Sequence, residues 1–283
     1  MPTTRFAPSP TGYLHLGHAF AALTAARSGS RFLVRIEDID ATRCRPEYET
    51  AIFEDLAWLG LSWELPVLRQ SYRMAAYAAA LERLKAEELV YPCFCTRAEI
   101  AEEIARAGDA PHGPDGALYP GTCRHLSAAE RSEKIAAGTP YALRLDAAKA
   151  TRVVGPLSFA EYGAGPDGET GRIMVDPLLF GDVVLARKET PSAYHLAVVV
   201  DDAFQGVDRV TRGHDLFAAA HIQRVLQALL GLPEPAYAHH LLILDETGKK
   251  FSKRDRAVTL RALRQSGATA DDIIRRVFSP RRR

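Results

Sequence analysis

The sequence predicts an α/β fold built on a doubly wound parallel sheet. Strand-like and helix-like segments alternate over residues 5–89, which is typical of βαβ units. The alternation returns at residue 196, where a continuous apolar run ends in two acidic residues. The composition agrees with a globular chain that has a full-sized core, because 47% of the 283 residues are hydrophobic and 25% are charged.

The first elements follow from local signals. Apolar runs predict strands over Arg5–Ala7 and Arg31–Ile36. Helices are predicted over Leu16–Ala26, which is rich in alanine and stops at a Ser-Gly-Ser break, and over Pro46–Leu59, where proline suits the first turn. A third helix is predicted over Ser71–Leu89.

The composition then changes. Cysteines and a Gly/Pro-rich stretch fall within residues 91–123, and two capping boxes, at Thr96 and Ser127, predict short helices. Residues 140–185 show no helical period and favour strands and turns. We therefore interpret residues 91–185 as an insertion.

The α/β pattern continues after the insertion. The run Leu196–Asp202 suits a strand buried on both faces, with its carboxyl end at a site. An amphipathic helix is predicted over Asp215–Leu230 and a last strand over Leu241–Leu244. The segment Gly163–Gly168 matches G-x-G-x-x-G, but it contains a proline and no helix is expected after it, so we predict a turn.

Charge and hydropathy exclude some classes of protein. A net charge of +1 excludes nucleic-acid binding by bulk charge alone, although a local basic patch is still allowed. No apolar run reaches the roughly 20 residues of a membrane span, and the N-terminal segment lacks the apolar region of a secretory signal. We expect a cytoplasmic protein with no membrane partner.

Two motifs near the ends of the chain point to phosphate chemistry. Pro8-Ser-Pro-Thr-Gly12 leads into His15-Leu-Gly-His18 at the predicted start of a helix, and Lys250-Phe-Ser-Lys-Arg254 follows the last predicted strand. A helix N-terminus favours a phosphate, and imidazoles and ammonium groups can bind its oxygens. Either motif alone is weak, but the pair in this order is a strong signal.

This pair resembles the HIGH and KMSKS motifs of class I aminoacyl-tRNA synthetases, with Phe251 in place of the Met. Arg5–Gly12, Arg35–Asp40 and Ala197–Asp202 resemble the glutamyl branch more narrowly, and the resemblance extends from Arg5 to about Arg254. It implies a Rossmann-like catalytic domain in which His15, His18 and Lys253 are catalytic. The residues implied to bind ATP, as its Mg²⁺ complex, are His15, Gly17, His18, Lys250, Ser252 and Lys253.

Only 29 residues follow Arg254, fewer than the order of 100 that an anticodon-binding domain needs. The chain in this respect resembles the glutamyl-queuosine tRNA(Asp) synthetases. This family activates L-glutamate with ATP and attaches it to queuosine in the anticodon loop of tRNA(Asp). The alternatives are a truncated glutamyl-tRNA synthetase that charges a tRNA 3′ end, and a paralogue that binds tRNA without catalysis.

The resemblance also implies a glutamate pocket. The implied residues are Arg5, Phe6, Ala7, Pro8, Ser9, Glu37, Tyr194 and Arg212. Arginine suits a carboxylate, so Arg212 and Arg5 can each hold one, and Glu37 can pair with the ammonium group. His195 departs from the family, which often has Asn there, so contacts with glutamate can differ in detail.

Three clustered cysteines predict a metal knuckle. The resemblance implies one structural zinc bound by Cys93, Cys95, Tyr119 and Cys123. Imidazole is the commoner zinc ligand, so His125 stays an alternative to Tyr119, as does a knuckle without metal. Arg97 or Arg124 would offset the charge of a phenolate.

The predicted organisation has four parts: a Rossmann-like first half over 1–90, the zinc-bearing insertion over 91–185, a Rossmann-like second half over 186–240, and the KMSKS-like loop with a short helical tail over 241–283. We expect a monomer.

Overall fold

The structure is a computed structural model that describes residues 2–107, 112–187, 192–243 and 258–279. In these ranges the strands are β1 Thr3–Phe6, β2 Arg31–Ile36, β3 Leu68–Arg69, β4 Val90–Cys93, β5 His112–Gly113, β6 Gly116–Ala117, β7 Ala142–Leu145, β8 Ser158–Glu161, β9 Gly171–Met174, β10 Val184–Ala186, β11 Arg209–Gly213 and β12 Ala236–His240. The α-helices are α1 Leu16–Arg27, α2 Pro46–Trp58, α3 Met74–Ala86, α4 Arg97–Ala107, α5 Ala128–Ala136, α6 Ala147–Val154, α7 Tyr194–Phe204, α8 Ala219–Leu229, α9 Leu260–Gln265 and α10 Ala270–Phe278.

Two parallel sheets confirm the predicted α/β fold. Strands β1, β2 and β3 pair in parallel, with Thr3 opposite Arg31. Strands β11, β12 and β8 form a second parallel set, and β9 adds to its edge in antiparallel orientation. Helix α1 packs on both β1 and β11. The carboxyl ends of β1, β2 and β11 therefore lie beside the start of α1, where an α/β fold places its ligand.

Helix α1 shows why the sequence folds in this way. Its buried side chains recur at helical spacing, at Leu16, Ala19, Phe20 and Leu23. They join the core that strands β1 and β2 share with helix α10. The tail helix therefore packs against the first βα unit.

A third, antiparallel sheet contains β10, β7 and β4 in that order. It carries Cys93 at the end of β4. Both predicted capping boxes are present, since Thr96 and Ser127 each accept the backbone N–H of the glutamate three residues later. Strand β8, which falls within the predicted insertion, pairs instead with β12 of the parallel sheet.

The predicted strand over Leu196–Asp202 is wrong, because this run lies in helix α7. The helix is buried on most of its circumference, with Leu196, Val198 and Val199 all close to zero exposure. A short, continuously apolar run cannot by itself separate a buried helix from a buried strand. Consecutive residues of a helix point about 100° apart, so Asp201 and Asp202 have different partners. Asp201 accepts from Tyr77 and Asp202 from Arg5.

Two further assignments need correction. The last described strand is β12, which ends at His240 before the predicted start at Leu241 and buries Tyr237 and His239 rather than aliphatic side chains. Residues 241–243 lie in no strand, and Leu244 lies outside the described residues. The stretch read as strands and turns contains helix α6, capped by the Asp146 carboxylate.

The turn predicted at Gly163–Gly168 is confirmed, and β9 rather than a helix follows it. Gly163 packs against the backbone of His239 so closely that a Cβ atom would collide with it. Among the described helices, none is both long and apolar enough to cross a membrane.

Candidate active site

Two histidines stand at the N-terminus of α1, as predicted. His15 is the N-cap residue, and its Nδ1 accepts the backbone N–H of Gly17 at 3.2 Å. Nδ1 of His18 accepts the backbone N–H of His15 at 3.2 Å. In a neutral ring the proton of each imidazole is therefore on Nε2. Each ring presents an N–H donor beside a helix N-terminus, which suits a phosphate.

The C-terminal segment returns to this point. Thr259 forms an isolated β-bridge with His15, and the backbone N–H of Leu260 donates to the carbonyl of Leu14 at 2.8 Å. The predicted ATP residues Lys250, Ser252 and Lys253 lie outside the described residues.

A cavity of about 380 Å³ opens beside the carboxyl end of β2. Three of the predicted glutamate residues, Ser9, Glu37 and Tyr194, line it together with His195. Arg43 and Arg187 also line it, although no sequence motif indicates them. The cavity thus combines cationic and anionic side chains, as a zwitterionic amino acid requires.

Asp202 of α7 forms ion pairs with two buried arginines. Arg5 donates from Nε to Asp202 at 3.0 Å, and Arg35 donates from Nη1 to the same carboxylate at 2.7 Å. Burial would raise the pKa of Asp202, but the two guanidinium groups outweigh it and lower that pKa. Arg5 also reaches the carbonyl of Thr211, so its contact with glutamate stays a prediction.

Glu37 is one of two acidic residues that line the cavity, and Asp40 is the other. The backbone N–H of Glu37 donates to the carbonyl of Pro8 at 3.1 Å, and its carboxylate lies 3.4 Å from Nη2 of Arg35. Burial raises the pKa of Glu37 against the opposing effect of Arg35 and Arg5. Phe6 packs in the core. The other predicted glutamate residues do not line the cavity either: Arg5, Ala7, Pro8 and Arg212.

Arg212 of β11 is buried with part of its donor capacity unused. Its Nε donates to Nε2 of His239 at 3.1 Å and its Nη1 to Oε1 of Gln223 at 2.8 Å. Its Nη2 is buried and contacts no acceptor among the described residues. Burial and the charge of Arg212 lower the pKa of the cavity residue His195 to about 4, so this imidazole is neutral at pH 7.

The predicted metal ligands converge in space. The ligand atoms of Cys93, Cys95 and Cys123 lie within 4.8 Å of one another, and no His, Asp or Glu of the described ranges joins them. The hydroxyl oxygen of Tyr119 is 3.3 Å from Sγ of Cys93 and 3.5 Å from Sγ of Cys95. This arrangement favours Tyr119 over His125 as the fourth ligand.

The four atoms fit a zinc ion. Tetrahedral coordination at 2.3 Å separates two sulfurs by about 3.8 Å, and Sγ of Cys95 lies 3.3 Å from Sγ of Cys123. Burial and the neighbouring sulfurs raise the pKa of Cys95 to about 12, against a hydrogen bond from Tyr119. The guanidinium of Arg144 lies 3.9 Å from the centroid of the Tyr119 ring, whereas Arg124 pairs with Asp182.

The family follows from comparison with known proteins. The family model described as "tRNA synthetases class I (E and Q), catalytic domain" matches residues 2–279. The chain belongs to this family. It is therefore a ligase of the aminoacyl-tRNA synthetase class.

Two relatives of this class I synthetase differ in name and in the share of their length that the chain covers. The chain is 50% identical over 279 residues to a "Glutamyl-Q tRNA(Asp) synthetase" of Rhodobacter capsulatus, an alignment that covers 96% of this chain and 98% of the relative. It is 40% identical to "Glutamate--tRNA ligase 2" of Nitrosococcus oceani, covering 93% of this chain but 56% of that protein.

A solved structure agrees with the fold. A glutamate tRNA ligase from Elizabethkingia meningosepticum, crystallised in complex with its amino acid, superposes with a TM-score of 0.70 at 29% identity. The match covers 89% of this chain and 51% of that chain, so the synthetase spans about half the length of that ligase.

The sequence did not predict three residues of the network around Arg212. Gln223 and His239 contact its guanidinium directly, and Glu161 contacts His239. No short motif joins them, because Glu161 and His239 are 78 residues apart. Only the strand pairing of β8 with β12 brings them together.

Proposed function

We propose that this class I synthetase activates L-glutamate with ATP without needing tRNA, and then transfers the glutamyl group to queuosine in the anticodon loop of tRNA(Asp). The observation that carries the proposal is the 50% identity to the Rhodobacter capsulatus protein over 98% of that protein's length. An alignment of nearly equal lengths supports a shared substrate better than the partial matches to glutamate–tRNA ligases do.

The cavity residues support glutamate as the amino acid. Glu37 is an anionic partner for the substrate ammonium group, and the hydroxyl of Tyr194 adds a polar contact at the rim. Arg212 does not line the cavity, but its buried Nη2 meets no acceptor among the described residues and would be a donor for a substrate carboxylate. A cation at this place favours glutamate over glutamine, because a charge-assisted hydrogen bond to a carboxylate is stronger than one to an amide.

The start of α1 supports a site for MgATP. The Nε2–H groups that the geometry of His15 and His18 implies are donors for phosphate oxygens. Gly17 lets a phosphate approach the helix N-terminus. Lys250, Ser252 and Lys253 complete the proposed ATP site, and Lys253 supplies charge to the phosphates.

The proposed reaction needs no protein nucleophile. The α-carboxylate of glutamate attacks the α-phosphorus of ATP, forming glutamyl-adenylate and breaking the bond to pyrophosphate. A hydroxyl of the queuosine cyclopentene-diol then attacks the activated carbonyl carbon, forming an ester and releasing AMP. The chain contributes position and charge stabilisation, through His15, His18 and Lys253 on the phosphates and Arg212 on the amino acid.

Zinc is proposed as a structural ion of the chain. Cys93, Cys95, Cys123 and Tyr119 would hold it, and it would tie β4 to the segment around residue 123. We also propose that the chain is a monomer and that it acts in the cytoplasm.

The purified chain should catalyse ATP–pyrophosphate exchange when L-glutamate is added and tRNA is absent. The same assay with L-glutamine is the control, and we expect it to give far less exchange because a hydrogen bond from Arg212 to an amide is weaker than one to a carboxylate. Exchange that starts only after tRNA(Glu) is added would contradict the proposal and favour an ordinary glutamyl-tRNA synthetase.

A further inference from the structure

Arg212 is held at two of its three nitrogen atoms. Nε faces His239 and Nη1 faces Gln223, at 3.1 and 2.8 Å. Arg212 is 6% exposed, and its buried Nη2 meets no acceptor in the described part of the chain. The guanidinium is thus held from two directions, by His239 and by Gln223, and Nη2 is the nitrogen left for a ligand.

The contact with His239 determines which of its ring nitrogens carries the proton. Arginine Nε always carries hydrogen, so Nε2 of His239 must accept from it and has no proton of its own. The ring proton is then on Nδ1, which lies 2.6 Å from Oε2 of Glu161 and donates to it. The imidazole is neutral in this arrangement and connects an anion to a cation.

Glu161 is itself fixed by the backbone. Its Oε1 accepts the N–H of His239 at 2.8 Å and the N–H of Gly163 at 2.7 Å. The side chains of Glu161 and His239 are both completely buried. The close approach of Gly163 to His239 leaves no room for a side chain there, so the glycine permits this geometry.

The charges agree with the hydrogen bonds. Burial lowers the pKa of His239 despite the opposing hydrogen bond to Glu161, which favours the neutral ring. Burial would raise the pKa of Glu161, but its hydrogen bonds with His239 outweigh it and lower that pKa. The buried carboxylate of Glu161 is therefore kept ionised. It does not contact Arg212 directly but is connected to it through the imidazole of His239.

We propose that Glu161 and His239 are positioning residues for Arg212, holding its Nη2 toward the carboxylate of the bound amino acid. Arg5 shows the alternative arrangement, in which a carboxylate binds the guanidinium directly. Its Nε and Nη2 donate to the two carboxylate oxygens of Asp202. A carboxylate in direct contact with Arg212 would compete with the substrate, whereas the neutral imidazole orients the guanidinium and leaves its charge available. This inference rests on the proposed role of Arg212 in glutamate binding.

The test is steady-state ATP–pyrophosphate exchange of three variants of the full chain. We expect His239→Ala and Glu161→Gln to raise the KM for glutamate about tenfold, the size of one lost orienting hydrogen bond, with kcat and the KM for ATP changed less than about threefold. His239→Gln can still accept from Arg212 through its amide oxygen, so it should recover most of the affinity for glutamate.

His221→Ala is the matched control. His221 is another buried histidine, and like His239 it packs against Phe217. We expect it to lower the melting temperature without raising the KM for glutamate. Equal KM values for glutamate in wild type and His239→Ala would overturn the inference, as would an equal rise in His239→Ala, His239→Gln and His221→Ala. A wild-type chain without glutamate-dependent exchange would instead overturn the proposed function.

Discussion

Replacing Arg212 by alanine should abolish glutamate-dependent ATP–pyrophosphate exchange while leaving ATP binding within a few-fold of wild type. Truncating one partner of a buried charge pair costs about 2–5 kcal/mol, which is roughly 30-fold to several thousand-fold in affinity. The effect is specific to glutamate because Arg212 lies on β11 and contacts neither His15 nor His18. Exchange kinetics over a wide range of glutamate concentration, with ATP binding measured separately, check this prediction.

Arg209→Ala is the control for Arg212→Ala. Both arginines lie on β11, but the guanidinium of Arg209 lies over the ring of Tyr162 at 5.1 Å, whereas that of Arg212 donates to His239 and Gln223. We expect Arg209→Ala to keep its dependence on glutamate. If Arg212→Ala is folded and its KM for glutamate is near that of wild type, the assignment of the pocket is wrong.

Removing a cysteine ligand should have the largest effect on stability. We expect the wild-type chain to purify with one zinc, and Cys123→Ser to lose it with a fall in melting temperature on the order of 10 °C, because binding of a structural metal contributes directly to folding free energy. Tyr119→Phe keeps three thiolates and should bind zinc but release it faster to a chelator. Metal analysis and thermal unfolding measure both effects.

Two controls separate the zinc hypothesis from its alternatives. Cys44→Ser changes a cysteine outside the cluster and should retain the metal. His125→Ala should also retain it, because His125 is not among the clustered ligand atoms of the described chain. Rapid loss of zinc from His125→Ala, with retention in Tyr119→Phe, would reverse the choice of fourth ligand. A stable, active wild-type chain without zinc would refute the site.

Local signals in the sequence predicted the parts of the site that depend on neighbouring residues. The histidine pair was placed at a helix start, and His15 caps α1. The cysteine spacing predicted a cluster that the fold brings within ligand distance. The histidines are close in sequence and the cysteines have a known metal-binding spacing, so both groups can be recognised without the tertiary structure.

Features that depend on tertiary pairing were missed. Asp201 and Asp202 end an apolar run that suits either a buried strand or a buried helix, and the tertiary structure makes it helix α7. Asp202 then meets Arg5 from 197 residues away. Strand β12 was displaced in the prediction because it buries a tyrosine and a histidine, which look polar to a hydropathy pattern.

The most direct test of the proposed function is transfer of labelled glutamate to purified tRNA(Asp), with and without queuosine, each also prepared without its 3′-terminal adenosine. We predict that label enters every tRNA that carries queuosine, whether or not the terminal adenosine is present, and enters neither tRNA that lacks queuosine. Labelling that needs the terminal adenosine and ignores queuosine would contradict the proposal and identify an enzyme that charges the 3′ end.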